Sequence, residues 1–302
     1  MHGGNYENGI YPGPELQRNK LAYCQLCGYR CILLRNEYAT QRSPGWDKLL
    51  ALRDALRTKC SVTLWLDADA VVLRPMLIEP LATIPISVTR DHSGLNTGVM
   101  LLQRSLEVER LLTLAWNQTQ FIPNRLGAEQ SGVRNILYMH KGLMKSLAVY
   151  MNLVRYSYGQ SSTQKWNRTY REAAPIYHAA GCAMHERPTT CGKWLRTYLA
   201  TAQSQWEGRP RGEVACRPID KALLTPRRPR LGDVYIPYGQ GRDIVVGTAE
   251  AARKERAAVQ AIERRACDVA GKTEVCASAH GMNRTRHGSA TKARRHGTVE
   301  RG

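Results

Sequence analysis

An α/β fold, a sheet covered by helices on its faces, is what this sequence of 302 residues predicts, on three observations. Helical and strand-type apolar patterns alternate along its first two-thirds, as expected where helices flank a sheet. One apolar strand, Leu64-Trp65-Leu66, runs directly into Asp67-Ala68-Asp69. Downstream, Gly94-Leu95-Asn96-Thr97-Gly98 is bounded by glycines, the composition of a turn between elements.

The elements follow in order. Glu15 to Gly28 reads as a helix, with Gly28 as its stop, and Tyr29 to Leu34 as a strand. Trp46 to Leu56 is a helix with Leu49, Leu50, Leu52 and Leu56 on a helical face; Trp46 is assigned to the core and Lys48 to the helix surface. Val62 to Leu66 is the strand that delivers Asp67 and Asp69, and Ile84 to Thr89 is another. Gly94 to Gly98 is a turn and Val99 to Leu102 the strand leaving it. Leu106 to Trp116 and Glu129 to Met139 complete the pattern as helices.

Asp67 and Asp69 are out of place in an apolar strand, because an unpaired ionised carboxylate in a dry core costs several kcal/mol. They fit a strand end where a cation meets them. Hard divalent ions such as Mg²⁺ or Mn²⁺ take oxygen ligands and bridge to phosphate, so the pair points to a metal–diphosphate site. Ligands of open α/β sheets gather beyond the carboxyl ends of the strands, and the Gly94–Gly98 loop is placed to face them.

The formal charge of +19 is spread along the chain. Residues 1–206 hold 24 Lys and Arg against 14 Asp and Glu, and residues 207–302 hold 20 against 11. Residues 1–206 also carry the single Phe and most apolar runs, which makes them one domain. Residues 207–302 are rich in Arg, Pro, Ala and Gly, a low-complexity, basic extension expected to be mostly disordered. The densest basic run, Arg284 to Arg295, has no interleaved aromatic residue, so it lacks a stacking platform for single strands and no nucleic-acid partner is expected. It reads as a solvated tail.

No run of about 18 apolar residues is available to span a bilayer. Met1-His2-Gly3-Gly4-Asn5 has no apolar core of a signal peptide. Cys24, Cys27 and Cys31 lack a second pair at zinc-ribbon spacing, so buried or disulfide-forming cysteines are expected there. Sequons stand at Asn117, Asn167 and Asn283, a number near chance for this length.

Six blocks, in order, resemble glycosyltransferase family 34, the α-galactosyl-, α-xylosyl- and α-mannosyltransferases of the secretory pathway. They are Asn19-Lys20 to Tyr23-Cys24 with Gly28-Tyr29; Trp46-Asp47-Lys48-Leu49 with Leu52-Arg53; Leu64 to Ala70; Gly94-Leu95-Asn96-Thr97-Gly98 running to Leu102-Gln103-Arg104-Ser105; Glu129-Gln130-Ser131; and His178-Ala179-Ala180-Gly181-Cys182. The resemblance covers roughly the first two-thirds of the chain.

The resemblance implies a GT-A-like, Rossmann-like mixed sheet and transfer of a hexose or pentose from a nucleoside diphosphate sugar to a glycan or glycoprotein acceptor, with retention at the anomeric carbon. It implies Mn²⁺ or Mg²⁺ held by Asp67, Asp69 and His178. Asp67 reaches metal or ribose, Asn96 and Gly98 line the substrate, and Glu129 and Gln130 face the reacting sugar or its acceptor as catalytic residues. His178 alone would be an ordinary core or surface histidine; the following Gly-Cys and the upstream acid pair make it a ligand. The implied location is the lumenal side of the Golgi membrane, through an anchor not contained in this sequence.

The chain also departs from the family. Met1 to Pro14 is too short and too rich in Gly and Asn for the opening strand that holds the nucleotide base, so the domain is read as lacking its first strand and as N-terminally truncated. Cys27 stands where the family has His, and Ala183 where many members place a basic residue on the diphosphate. The alternative function is therefore a catalytically inactive relative that binds glycan or partner.

Overall fold

A computed structural model describes residues 9–33, 38, 42–58, 60–91, 94–122, 128–150, 152–156, 173–182, 188–207, 209, 214–219, 226–230, 257 and 260–262. The fold is mixed α/β. Helices α1 (Gly13–Cys27) and α2 (Pro44–Thr58) precede β1 (Val62–Leu66), β2 (Ala70–Val72), β3 (Ile86–Asp91) and β4 (Gly94–Gln103). Helices α3 (Leu106–Trp116), α4 (Ala128–Met139) and α5 (Lys141–Lys145) follow, then β5 (Leu147–Tyr150), β6 (Val154–Tyr156), β7 (Ile176–His178) and α6 (Pro188–Ala202).

The strands form two sheets. In the larger the order is β1-β4-β3-β5, with β4 antiparallel to both neighbours and β5 parallel to β3. The smaller runs β2-β7-β6, with β2 antiparallel and β6 parallel to β7. β4 shows why both faces of the larger sheet are dry. Successive side chains on a strand point to opposite faces, so Met100 and Leu102 join the core under α2, α3 and α4, while Val99 and Leu101 join the core shared with α1, β2, β7 and α6. Trp46, Leu49, Leu52 and Leu56 bury the inner stripe of α2 in the first of these. Ser105 starts α3 by accepting the Val108 N–H on its hydroxyl, the ordinary N-cap bond.

Helix α1 ends at Gly28 in the left-handed region, φ 71°. Tyr29–Cys31 does not continue as the expected strand, and residues 29–33 have no strand partner among the described residues. The Cys24–Cys31 disulfide folds this segment back on the end of α1 instead. The Tyr29 hydroxyl docks it, donating to Glu79 at 2.7 Å and accepting the Ile78 N–H at 2.9 Å. Gly94 to Gly98 likewise is not a turn but the first half of β4, paired with β3. Its glycines serve other needs: Gly94 takes φ 116°, and Gly98 leaves room for a neighbouring ring.

Part of residues 207–302 lies on this domain. Cys216 is disulfide-bonded to Cys27, Arg217 bridges Met76, and Arg227 bridges Val149 at the outer edge of β5. Ile219 is buried. The Arg284–Arg295 run, Ala183 and Met1 to Asn8 lie outside the described residues.

Candidate metal centre and its surroundings

The two sheets meet at the acidic turn. Leu66 pairs with Val99 at the end of β1, and the Asp67 N–H then donates to the Gly98 carbonyl at 2.8 Å. Ala70 N–H closes a turn on the Asp67 carbonyl at 3.0 Å and opens β2, where Ala70 lies opposite His178. Asp67 and Asp69 therefore stand at the seam, and the second sheet lays His178 over it. One ligand atom from each of Asp67, Asp69 and His178 lies within 4.8 Å of the others. His178 Nε2 is 3.1 Å from Asp69 Oδ1 and 3.8 Å from Asp67 Oδ2.

This donor set suits a divalent cation. Two carboxylates supply hard oxygen, and a neutral imidazole is an accepted nitrogen ligand beside them. The imidazole is sunk, its side chain 3% exposed, while the carboxylates are 29% and 23% exposed. One side of the cluster is thus held by protein and the other is open. Burial alone would raise the Asp69 carboxyl, but the neighbouring His178 and Lys20 cations hold it below the usual range. Burial alone would lower His178, and the Asp69 and Asp67 carboxylates outweigh it, raising the imidazole above its ordinary value.

Gly98 carries a steric role. A Cβ at this position would lie 2.6 Å from Nε2 and 2.8 Å from Nδ1 of His178, and closer still to Cε1. The ring reaches the carboxylates only because β4 has no side chain there. The Tyr156 ring packs beside it in a tilted arrangement, centroids 5.6 Å apart.

Behind Asp67 lies a buried ion network centred on Lys48. The expectation that Lys48 sits on the helix surface is overturned: it is 3% exposed, and its Nζ lies 3.0 Å from Asp67 Oδ1 and 2.9 Å from Glu129 Oε1. It also donates to the Thr97 carbonyl at 3.4 Å. Trp65 Nε1–H donates to Asp67 Oδ1 at 2.6 Å. Burial pulls the Lys48 ammonium down, yet Asp67 and Glu129 more than offset it and raise it above the usual lysine range. Glu129 is the converse: burial raises its carboxyl, and Lys48 together with the Thr97 hydroxyl holds it low. Gly45 makes room here, since a Cβ would stand 2.5 Å from Glu129 Oε2.

The other expected site residues fall around this network. Thr97 donates its N–H to Gln130 Oε1 at 2.9 Å and its hydroxyl to Glu129 at 3.1 Å. Glu129 and Gln130 thus reach the acid turn through Thr97 and Lys48, not by direct contact. Asn96 Nδ2 donates to Asp91 at 2.8 Å, and its Oδ1 accepts the Gly98 N–H at 2.8 Å. Asn96 therefore fixes the backbone that carries Gly98.

Besides Trp65 and Thr97, three further contributors are not among the residues expected from sequence. Lys48 falls four residues before Leu52 and eight before Leu56, on the stripe that α2 buries, and that spacing was the available signal. Lys20 is half-buried on α1 and donates to the carbonyls of Ala68 at 2.9 Å and Ala70 at 2.8 Å, pinning the acidic turn from below. Burial pulls its ammonium down to about 8 despite Asp69 and Asp67. Asn19 exchanges hydrogen bonds with Val72, Nδ2 to the carbonyl at 3.0 Å and Oδ1 from the N–H at 2.8 Å, and it falls on the stripe with Leu16 and Tyr23. The backbone partners of Lys20 could not be read from sequence.

No model of a known protein family matches the chain, and no curated protein matches it.

Proposed function

We propose that this protein is a metal-dependent retaining glycosyltransferase of the GT-A type, similar to glycosyltransferase family 34, with a nucleoside diphosphate sugar as donor and a glycan or glycoprotein as acceptor. The observation that carries the reading is the convergence of His178 on Asp67 and Asp69 across 109 residues of sequence. An Asp-x-Asp pair alone recurs by chance, whereas a buried imidazole delivered to it by a second sheet is a built ligand set. The six ordered sequence blocks add support.

Asp67, Asp69 and His178 would hold Mn²⁺ or Mg²⁺. When bound, such an ion supplies charge neutralisation for a departing diphosphate. The protein's own contribution is placement. Trp65 and Lys48 fix the Asp67 carboxylate, Lys20 fixes the turn backbone, and Gly98 admits the imidazole. Glu129, held ionised beside Lys48, fixes the lysine that in turn fixes the Asp67 carboxylate. The disulfides among the described residues, Cys24–Cys31, Cys27–Cys216 and Cys182–Cys191, suit an oxidising compartment, in keeping with a lumenal Golgi location.

Donor hydrolysis with Mn²⁺ across a panel of UDP- and GDP-sugars tests the reading. Turnover that needs Mn²⁺ and disappears in Asp69→Ala supports it. Unchanged Mn²⁺-dependent nucleotide binding by Asp69→Ala overturns the metal assignment. A second reading is a catalytically inactive binding relative. It is favoured by Glu129, which is 8% exposed and already engaged by Lys48 and Thr97. Retained nucleotide-sugar binding with no turnover on any donor would select it.

A further inference from the structure

We propose that Asn117 is an N-glycosylation site, an inference independent of the transferase reading. Two unrelated observations meet at this residue.

The first is chemical environment. Three disulfides, Cys24–Cys31, Cys27–Cys216 and Cys182–Cys191, lie in the described structure. Cys27 and Cys216 are 189 residues apart, so their pairing needs the folded domain to bring them together. Protein thiols persist as structural disulfides in secretory and extracellular compartments and are kept reduced in the cytosol. The endoplasmic reticulum lumen, where such bonds form, is also where Asn-x-Ser/Thr is glycosylated.

The second is presentation. Asn117-Gln118-Thr119 begins at the C-terminal cap of α3, where the Asn117 N–H bonds the Thr113 carbonyl at 3.2 Å. The chain then tightens into a short turn, Thr119–Phe121, that buries Phe121. Between them, Gln118 is held on the protein side, its Oε1 accepting from Asn135 at 2.7 Å. Asn117 and Thr119 are both exposed. The Asn117 carboxamide makes no hydrogen bond among the described residues. The two side chains that the modifying enzyme reads thus face solvent on either side of an anchored residue. A sequon inside a strand or on a buried helix face would not offer this.

The step balances simply. Asn117 Nδ2 forms a bond to the anomeric carbon of a lipid-linked diphospho-oligosaccharide. The anomeric carbon–oxygen bond breaks, lipid diphosphate leaves with the bonding pair, and one Nδ2 proton passes to the transferring enzyme. Nothing is oxidised or reduced.

The test is peptide mapping of the full-length protein immunopurified from its native cells, after removal of N-glycans by peptide-N-glycosidase in heavy-oxygen water. Conversion of Asn117 to heavy-labelled Asp is expected. A parallel expression into the lumen of a eukaryotic cell should show a glycosidase-sensitive mobility shift of which one glycan's increment belongs to Asn117. Asn117→Gln and Thr119→Ala should each remove that increment and Thr119→Ser should keep it, so that loss of the shift is separated from misfolding by the conservative variant. A folded, disulfide-intact native protein whose Asn117 peptide is unlabelled overturns the proposal. So does a mobility shift that survives Asn117→Gln in full.

Discussion

The imidazole of His178 occupies the volume that a side chain at position 98 would need. A Cβ on Gly98 would stand 2.6 Å from Nε2, the nitrogen that faces Asp69. Gly98 lies in extended β4 and needs no left-handed backbone, so its requirement is for empty space. Gly98→Ala should therefore displace the ring and weaken Mn²⁺ binding at least tenfold. Overpacking of this kind costs about 1–3 kcal/mol of stability. Electron paramagnetic titration of Mn²⁺ alongside thermal unfolding measures both, and wild-type affinity in Gly98→Ala would defeat the steric account.

Lys48 stands between Asp67 and Glu129 with almost no solvent. Removing one member of such a buried group leaves uncompensated charge, at a cost of about 3–5 kcal/mol. Lys48→Met should lose roughly that in urea unfolding. Adding Glu129→Gln should recover part of it, since the double variant buries one carboxylate fewer. Strict additivity of the two substitutions would show that the pair is not coupled.

Lys20 binds two carbonyls of the acidic turn without touching a ligand atom. Lys20→Met should lower Mn²⁺ affinity about 10–100-fold, the usual effect of losing a group that orients ligands, while the unfolding midpoint falls little. Calorimetric titration decides it, and unchanged affinity would reduce Lys20 to a helix-docking residue.

The pH dependence follows from the direction of two shifts. His178 is raised above 6.5 in the folded chain, so without metal its pairing with Asp69 and Asp67 stabilises fully below 6.5 and fades as pH rises through the folded value. Asp69 is held below 3.8, so its contribution is present above that value and is lost as pH falls through the folded one. Chelator-treated protein should lose stability on both sides of that window. Saturating Mn²⁺ should reverse the upper limb, because a ligating imidazole must give up its proton. Tm against pH with and without Mn²⁺ provides the check, and His178→Gln should abolish the difference between the two upper limbs.

Cys27–Cys216 closes a loop of 189 residues. In the chain-entropy account a cross-link of that span is worth about 5 kcal/mol. Cys216→Ser should lower stability by an amount approaching this, read from denaturant midpoints under oxidising conditions. A loss near zero would mean that the segment around Cys216 adds nothing once the domain has formed.

Much of the layout was legible because its causes are local. Leu106 to Trp116 shows its helix by period and by the Ser105 cap, and Val62 to Leu66 shows its strand and its acidic end. The Asp67, Asp69 and His178 grouping was also anticipated, through ordered blocks and not through any single motif. What escaped was decided at long range. Tyr29 to Leu34 has strand composition, but a disulfide and the Glu79 contact claim its first residues before any strand can. The Gly94–Gly98 glycines look like turn chemistry, yet one of them answers to a histidine 80 residues away in sequence. Lys48 was assigned to the helix surface, although helix phase placed it inward.

The paired hydrogen bonds between Asn19 and Val72 reach further than the helix contact they make. β2 is three residues long, and among the described residues β7 is its one strand neighbour. Its other flank would offer bare amide and carbonyl groups to any extended polypeptide that came near. Two neighbours on α1 occupy that strip: the Asn19 carboxamide meets Val72 as a strand would, donor against acceptor and acceptor against donor, and the Lys20 ammonium takes the Ala70 carbonyl. The smaller sheet is thereby sealed against recruitment into intermolecular β-structure, and Asn19→Leu, which leaves the Val72 amide and carbonyl unpaired, should be recognised by its tendency to self-associate.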